Sequence, residues 1–89
     1  MRVGTVKEIK RHEYRVGLTP HCVRRYVAHG HKVLIESHAG EGTGYSDEDY
    51  RAAGGSIVTS RDAVYAEADM IVKVKEPQEE ECPLLRENQ

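Results

Sequence analysis

The sequence predicts an α/β fold, a doubly wound and mostly parallel sheet, and three observations carry that expectation. Short Val- and Ile-rich runs alternate with segments that open on helix-capping residues. The order strand, helix, strand up to Ile35, with short connections, is that of a right-handed βαβ crossover. The run Met70-Ile71-Val72-Lys73-Val74-Lys75-Glu76-Pro77 reads as a buried strand of a parallel sheet, bounded by acidic residues before it and stopped by proline.

In chain order, Arg2 to Val6 begin an extended segment that Lys7-Glu8 close with charge. From Glu8 to Glu13 there is no periodicity, and a solvated loop is expected. Tyr14 to Leu18 alternate with period two, which puts Tyr14, Val16 and Leu18 on one face and Arg15 on the other. Thr19-Pro20 starts a helix, because the hydroxyl caps free amides and proline at the first position gives up an N–H that needs no partner. The helix should run to about His29 with Cys22, Val23, Tyr26 and Val27 on one face, and Gly30 ends it before the strand Val33-Leu34-Ile35. Ser46 with Asp49, and Thr59 with Asp62, have capping-box spacing; Gly54-Gly55 ends the first of these helices, and Ser56-Ile57-Val58 forms a strand before the second. After Pro77, Glu79-Glu80-Glu81 reads as a solvated face opening a helix that ends near Arg86. A helix after a strand ending at Lys75 implies a further strand, so the chain reads as incomplete.

Composition removes several classes of function. A formal net charge of −2 with both signs interspersed offers no basic stripe for nucleic acid. The sequence has no apolar run of the roughly 18 residues a membrane helix needs and no signal-peptide core, so a cytoplasmic protein is expected. Cys22 and Cys82 are far apart and lack CxxC spacing, and the five histidines form no ligand pattern, so neither disulfide nor metal is indicated. Gly40-Glu41-Gly42-Thr43-Gly44 is read as a turn: the dinucleotide fingerprint needs glycine where Tyr45 stands, and Asp47-Glu48-Asp49 in the following helix would repel a pyrophosphate. Lys75 stands at the carboxyl end of its strand, where ligands bind in open α/β sheets. The plain alternative is a lysine reaching solvent from a strand end, as expected for Lys73 on the same face.

Glu13-Tyr14-Arg15-Val16-Gly17-Leu18-Thr19-Pro20, then Gly30 to Gly55 with Ala39-Gly40-Glu41-Gly42 and Ser46-Asp47-Glu48-Asp49-Tyr50, then Ala68-Asp69 to Pro77, resemble the amino-terminal part of the alanine dehydrogenase family. The alpha subunit of nicotinamide nucleotide transhydrogenase shares that domain. The form Lys73-Val74-Lys75-Glu76-Pro77 resembles the dehydrogenases, since the transhydrogenases lack the second lysine. Val6 replaces a usual proline, Gly17 a usual alanine and His38 a usual glycine, the last at a turn where glycine would serve to reach positive φ.

The resemblance implies a Rossmann-like fold and an NAD-dependent enzyme, usually a homohexamer, that interconverts L-alanine with pyruvate and ammonia. Residues 1–89 would then be the amino-terminal part of the substrate domain, with the nucleotide-binding domain outside this chain. The family's catalytic arginine maps onto Arg15 and its catalytic lysine onto Lys75. A guanidinium fork suits the carboxylate of a small 2-oxo acid, and a partly desolvated lysine beside it can exchange a proton with the adjacent carbonyl oxygen. The chain alone is expected to be inactive. Two alternatives stay open: a transhydrogenase alpha subunit, and a small-carboxylate binding module without chemistry.

Overall fold

The computed structural model describes residues 1–9 and 16–74. Four parallel strands form one sheet in the order β3-β2-β1-β4: β1 is Arg2–Thr5, β2 Lys32–Glu36, β3 Ser56–Val58 and β4 Met70–Ile71. Three helices link them, α1 (Pro20–Ala28), α2 (Asp47–Ala52) and α3 (Arg61–Glu67). Val3 pairs with Val33 on one side and Met70 on the other, so β1 is central and the α3 crossover carries the chain from one edge of the sheet to the opposite edge. This is the doubly wound parallel fold the sequence predicts.

Strand alternation builds the two layers that flank the sheet. Val3, Val33 and Ile35 pack with Val23, Tyr50 and Ala53 beneath α1 and α2. On the other face Val6 packs against Val64 and Tyr65 of α3. Gly4 lies between them: a Cβ there would stand 2.7 Å from Val64 and 2.8 Å from Ala68, so glycine lets α3 seat directly on β1.

The helix ends follow local chemistry. Thr19 accepts from the Cys22 amide with Pro20 at the first turn, and Ser46 and Asp49 complete a reciprocal capping box. Gly30 and Gly54, after α1 and α2, have φ of 87° and 98°. His38 adopts φ 69°, so it holds the positive φ that a glycine would reach at this turn without strain.

Three expectations need correction. The cap of α3 is Ser60, whose hydroxyl accepts from the Ala63 amide, one residue after Thr59. Residues 16–19 form no strand, although Val16 and Leu18 are both buried as the alternation requires. Lys73 does not reach solvent; its side chain is only 5% exposed and faces Glu8. Lys10 to Tyr14, the acidic run after Pro77, His12 and Cys82 lie outside the described residues.

Candidate functional site

The crevice to inspect in a doubly wound sheet lies at the carboxyl ends of the strands where the order reverses, here β1 and β4, since β1 leads to β2 and β3 on one side and β4 pairs with it on the other. The β1–β4 ladder is short. Asp69 donates its amide to the Arg2 carbonyl at 2.7 Å and accepts from the Arg2 amide at 2.8 Å, and the Val72 amide donates to Gly4 at 2.9 Å. Beyond that point side chains replace the ladder. The Thr5 hydroxyl donates to the Val72 carbonyl at 2.8 Å, and the Val74 amide donates to Glu8 Oε2 at 3.2 Å.

Glu8 has a second task. Its Oε1 lies 3.3 Å from Lys73 Nζ, and the two side chains are 2% and 5% exposed. A buried ion pair of this kind holds its place through each partner's need for the other. The exit of β1 is tied on its other side as well, since the Lys7 amide donates to Glu36 Oε1 at the end of β2 at 2.8 Å. Gly17 completes the junction: a Cβ there would stand 2.3 Å from the Val72 oxygen and 3.0 Å from Thr5 Oγ1. With glycine at this position the segment entering α1 packs directly against the end of β4.

Arg15 and Lys75 lie outside the described residues. Their described neighbours meet at this junction: Glu8 before residues 10–15, Gly17 after them, and Val72 to Val74 before Lys75. Sequence reasoning missed the Glu8–Lys73 pair. One signal was present, because a lysine within a strand expected to be buried requires a partner.

The loop after β2 has different chemistry. Ser37 donates to Asp47 at 2.6 Å, the His38 amide donates to the same carboxylate at 2.9 Å, and these bonds hold the Asp47 pKa below its ordinary value. The His38 ring contacts Glu41. Amides of Thr43 and Tyr45 both donate to the Gly40 carbonyl, and Gly44 donates to Glu41. With those amides engaged and three acidic residues in the first turn of α2, the loop does not fit a dinucleotide. A surface hollow of about 380 Å³ runs along α1 and the turn after it, lined by Cys22, Arg25, Tyr26, His29 and His31. It contains none of the residues that meet at the junction. Among the described residues no helix is long and apolar enough to cross a membrane, and no group of three or more metal-ligating side chains is gathered.

Residues 4–89 match the model of the alanine dehydrogenase/PNT N-terminal domain. The chain belongs to that family. It is 47% identical over 89 residues to alanine dehydrogenase of Mycolicibacterium smegmatis, covering 100% of this chain and 24% of that protein. It is 46% identical, with the same coverage, to alanine dehydrogenase of Mycobacterium tuberculosis. A solved L-alanine dehydrogenase superposes with TM-score 0.93 at 46% identity, over 97% of this chain and 24% of that one. A transhydrogenase from Sinorhizobium meliloti superposes with TM-score 0.92 at 31% identity, over 99% of this chain and 25% of that one. The chain thus spans about a quarter of the length of these alanine dehydrogenase/PNT relatives. It corresponds to the amino-terminal region of alanine dehydrogenase, with the transhydrogenase the less similar of the two.

Proposed function

We propose that this chain forms the first part of the substrate domain of an NAD-dependent L-alanine dehydrogenase, a cytoplasmic homohexamer that converts L-alanine, NAD and water to pyruvate, ammonia and NADH. The supporting observation is the convergence of Gly17, Glu8 and residues 72–74 on one junction at the carboxyl ends of β1 and β4. Two segments that meet there are suited to serve one small substrate. In this reading Arg15 holds the substrate carboxylate through two parallel hydrogen bonds. Lys75 donates a proton to the carbonyl oxygen as the carbinolamine forms, and accepts one in the reverse direction. NAD, held by a domain outside these 89 residues, would supply the hydride acceptor. The second lysine of Lys73-Val74-Lys75 and the higher identity favour this reading over a transhydrogenase alpha subunit.

The test is steady-state kinetics on the complete enzyme. Arg15→Ala is expected to raise the KM for pyruvate at least about 10-fold, by loss of a charge-assisted pair. Lys75→Ala is expected to lower kcat by about 10²- to 10⁴-fold while the KM for NADH stays put. An unchanged pyruvate KM removes the role of Arg15, near-normal turnover removes that of Lys75, and a complete protein that forms no NADH from alanine removes the function.

A further inference from the structure

We infer that Glu8 and Lys73 are positioning residues for the chemistry assigned to Lys75, an inference that rests on the function proposed above. Among the described residues β4 pairs with β1 through Met70 and Ile71, so the regular ladder there stops short of Val74. A catalytic lysine on an unsupported strand end would sample many positions, and a misplacement of about 1 Å costs on the order of 100-fold in rate.

The structure supplies the missing support from the far end of the chain. One carboxylate of Glu8 engages both the backbone and the side chain of the approach to Lys75, through the Val74 amide at 3.2 Å and Lys73 Nζ at 3.3 Å. Thr5 holds Val72 one step earlier. Glu8 is itself held in register, because the preceding amide, that of Lys7, is bound by Glu36 of β2. The ends of β2, β1 and β4 are thereby joined in one polar chain whose last described link is Val74. Burial of the Glu8 and Lys73 side chains keeps water from competing for these bonds. Neither residue needs to touch the substrate; both fix the backbone from which Lys75 follows.

The experiment uses the complete enzyme with Glu8→Gln, Lys73→Met and the neutral double variant, each in the wild-type and Lys75→Ala backgrounds. With Lys75 present, Glu8→Gln and Lys73→Met are each expected to lower kcat per folded active site by about 10- to 100-fold, with the KM for NAD within about twofold of normal. The double variant is expected to lose no more than the worse single one, since both act in one device. In the Lys75→Ala background the same substitutions are expected to change the residual kcat by less than about threefold, because their effect passes through Lys75.

A merely structural role gives a different pattern. Then kcat per folded site is unchanged with Lys75 present, or the losses multiply with that of Lys75→Ala, and either result overturns the inference. Should a single variant fail to fold, the double variant, in which both members of the Glu8–Lys73 pair are neutral, carries the same comparison. An inactive wild-type enzyme would defeat the proposed function and this inference with it, whereas normal turnover of the variants in an active enzyme defeats the inference alone.

Discussion

The two halves of the carboxyl edge of the sheet are held by different kinds of bond. Around β2, α2 and β3 the polar contacts are mostly local: Ser37 to Asp47 spans 10 positions, and Ser46 to Asp49 spans 3. Between β1 and β4 they join distant parts of the chain, Thr5 to Val72 across 67 positions and Glu8 to Val74 across 66. The first half can organise its turns as soon as the chain is locally helical. The second exists only once both crossovers are complete, so its polar groups have no partners until the sheet has formed. A loop built from local contacts tolerates the loss of one bond, whereas a junction built from buried charges does not.

The largest expected effect breaks that second half. Glu8→Ala removes the carboxylate 3.3 Å from the buried Lys73 ammonium and is expected to cost about 3–5 kcal/mol. Replacing both partners, as in Glu8→Leu with Lys73→Met, removes the unpaired charge and is expected to recover most of the loss. Chemical denaturation of the purified variants checks this. Equal stabilities of the single and double variants would show that the pair is not energetically coupled.

A middle-sized effect concerns a long-range hydrogen bond that α2 makes. The Tyr50 phenol, fully buried, donates to the Leu18 carbonyl at 2.7 Å and so ties α2 to the segment that enters α1. Tyr50→Phe leaves that carbonyl unsatisfied, at a cost of about 1–2 kcal/mol. Burial pushes the phenol up to about 12. In the unfolded chain it loses its proton near 10, as a free tyrosine does. Between those values the folded state binds the extra proton, so stability falls as pH rises, by about 1.4 kcal/mol per unit. The advantage of wild type over Tyr50→Phe, measured by denaturation from pH 9 to 11.5, is therefore expected to shrink steadily above pH 10. A constant difference would mean the phenol is not shielded in the folded state.

What was legible in the sequence divides along the same line. Thr19-Pro20, the Ser46 and Asp49 box, and the glycines after α1 and α2 each carry their reason within a few residues, and each stands where expected. His38 was legible only through the resemblance, which marked a position of positive φ. The Glu8–Lys73 pair was not legible, because nothing in Lys7-Glu8-Ile9 says that the carboxylate is buried or which cation it meets. The closeness of Gly17 to Val72 was hidden for the same reason: a close approach is a property of two segments. Arg15 and Lys75 were drawn from family motifs, with strand-end position and carboxylate chemistry as support.

The smallest expected effect sharpens the local side of the comparison, where the spacing pointed to Thr59 as the cap of α3 and the structure uses Ser60. Thr59 has an acidic residue three positions on, the signature of a capping box, yet Ser60 is the residue whose hydroxyl meets an amide of the first turn, that of Ala63 at 3.1 Å. The cap must stand immediately before the first helical residue in extended backbone, and Ser60, with φ −135° and ψ 139°, meets both conditions. Ser60→Ala is thus expected to cost about 1 kcal/mol, and Thr59→Ala, at an exposed position, less than about 0.5 kcal/mol. Thermal denaturation of the two variants side by side decides it. If Thr59→Ala were the costlier change, α3 would begin one residue earlier than Arg61, with Ser60 as its first helical residue.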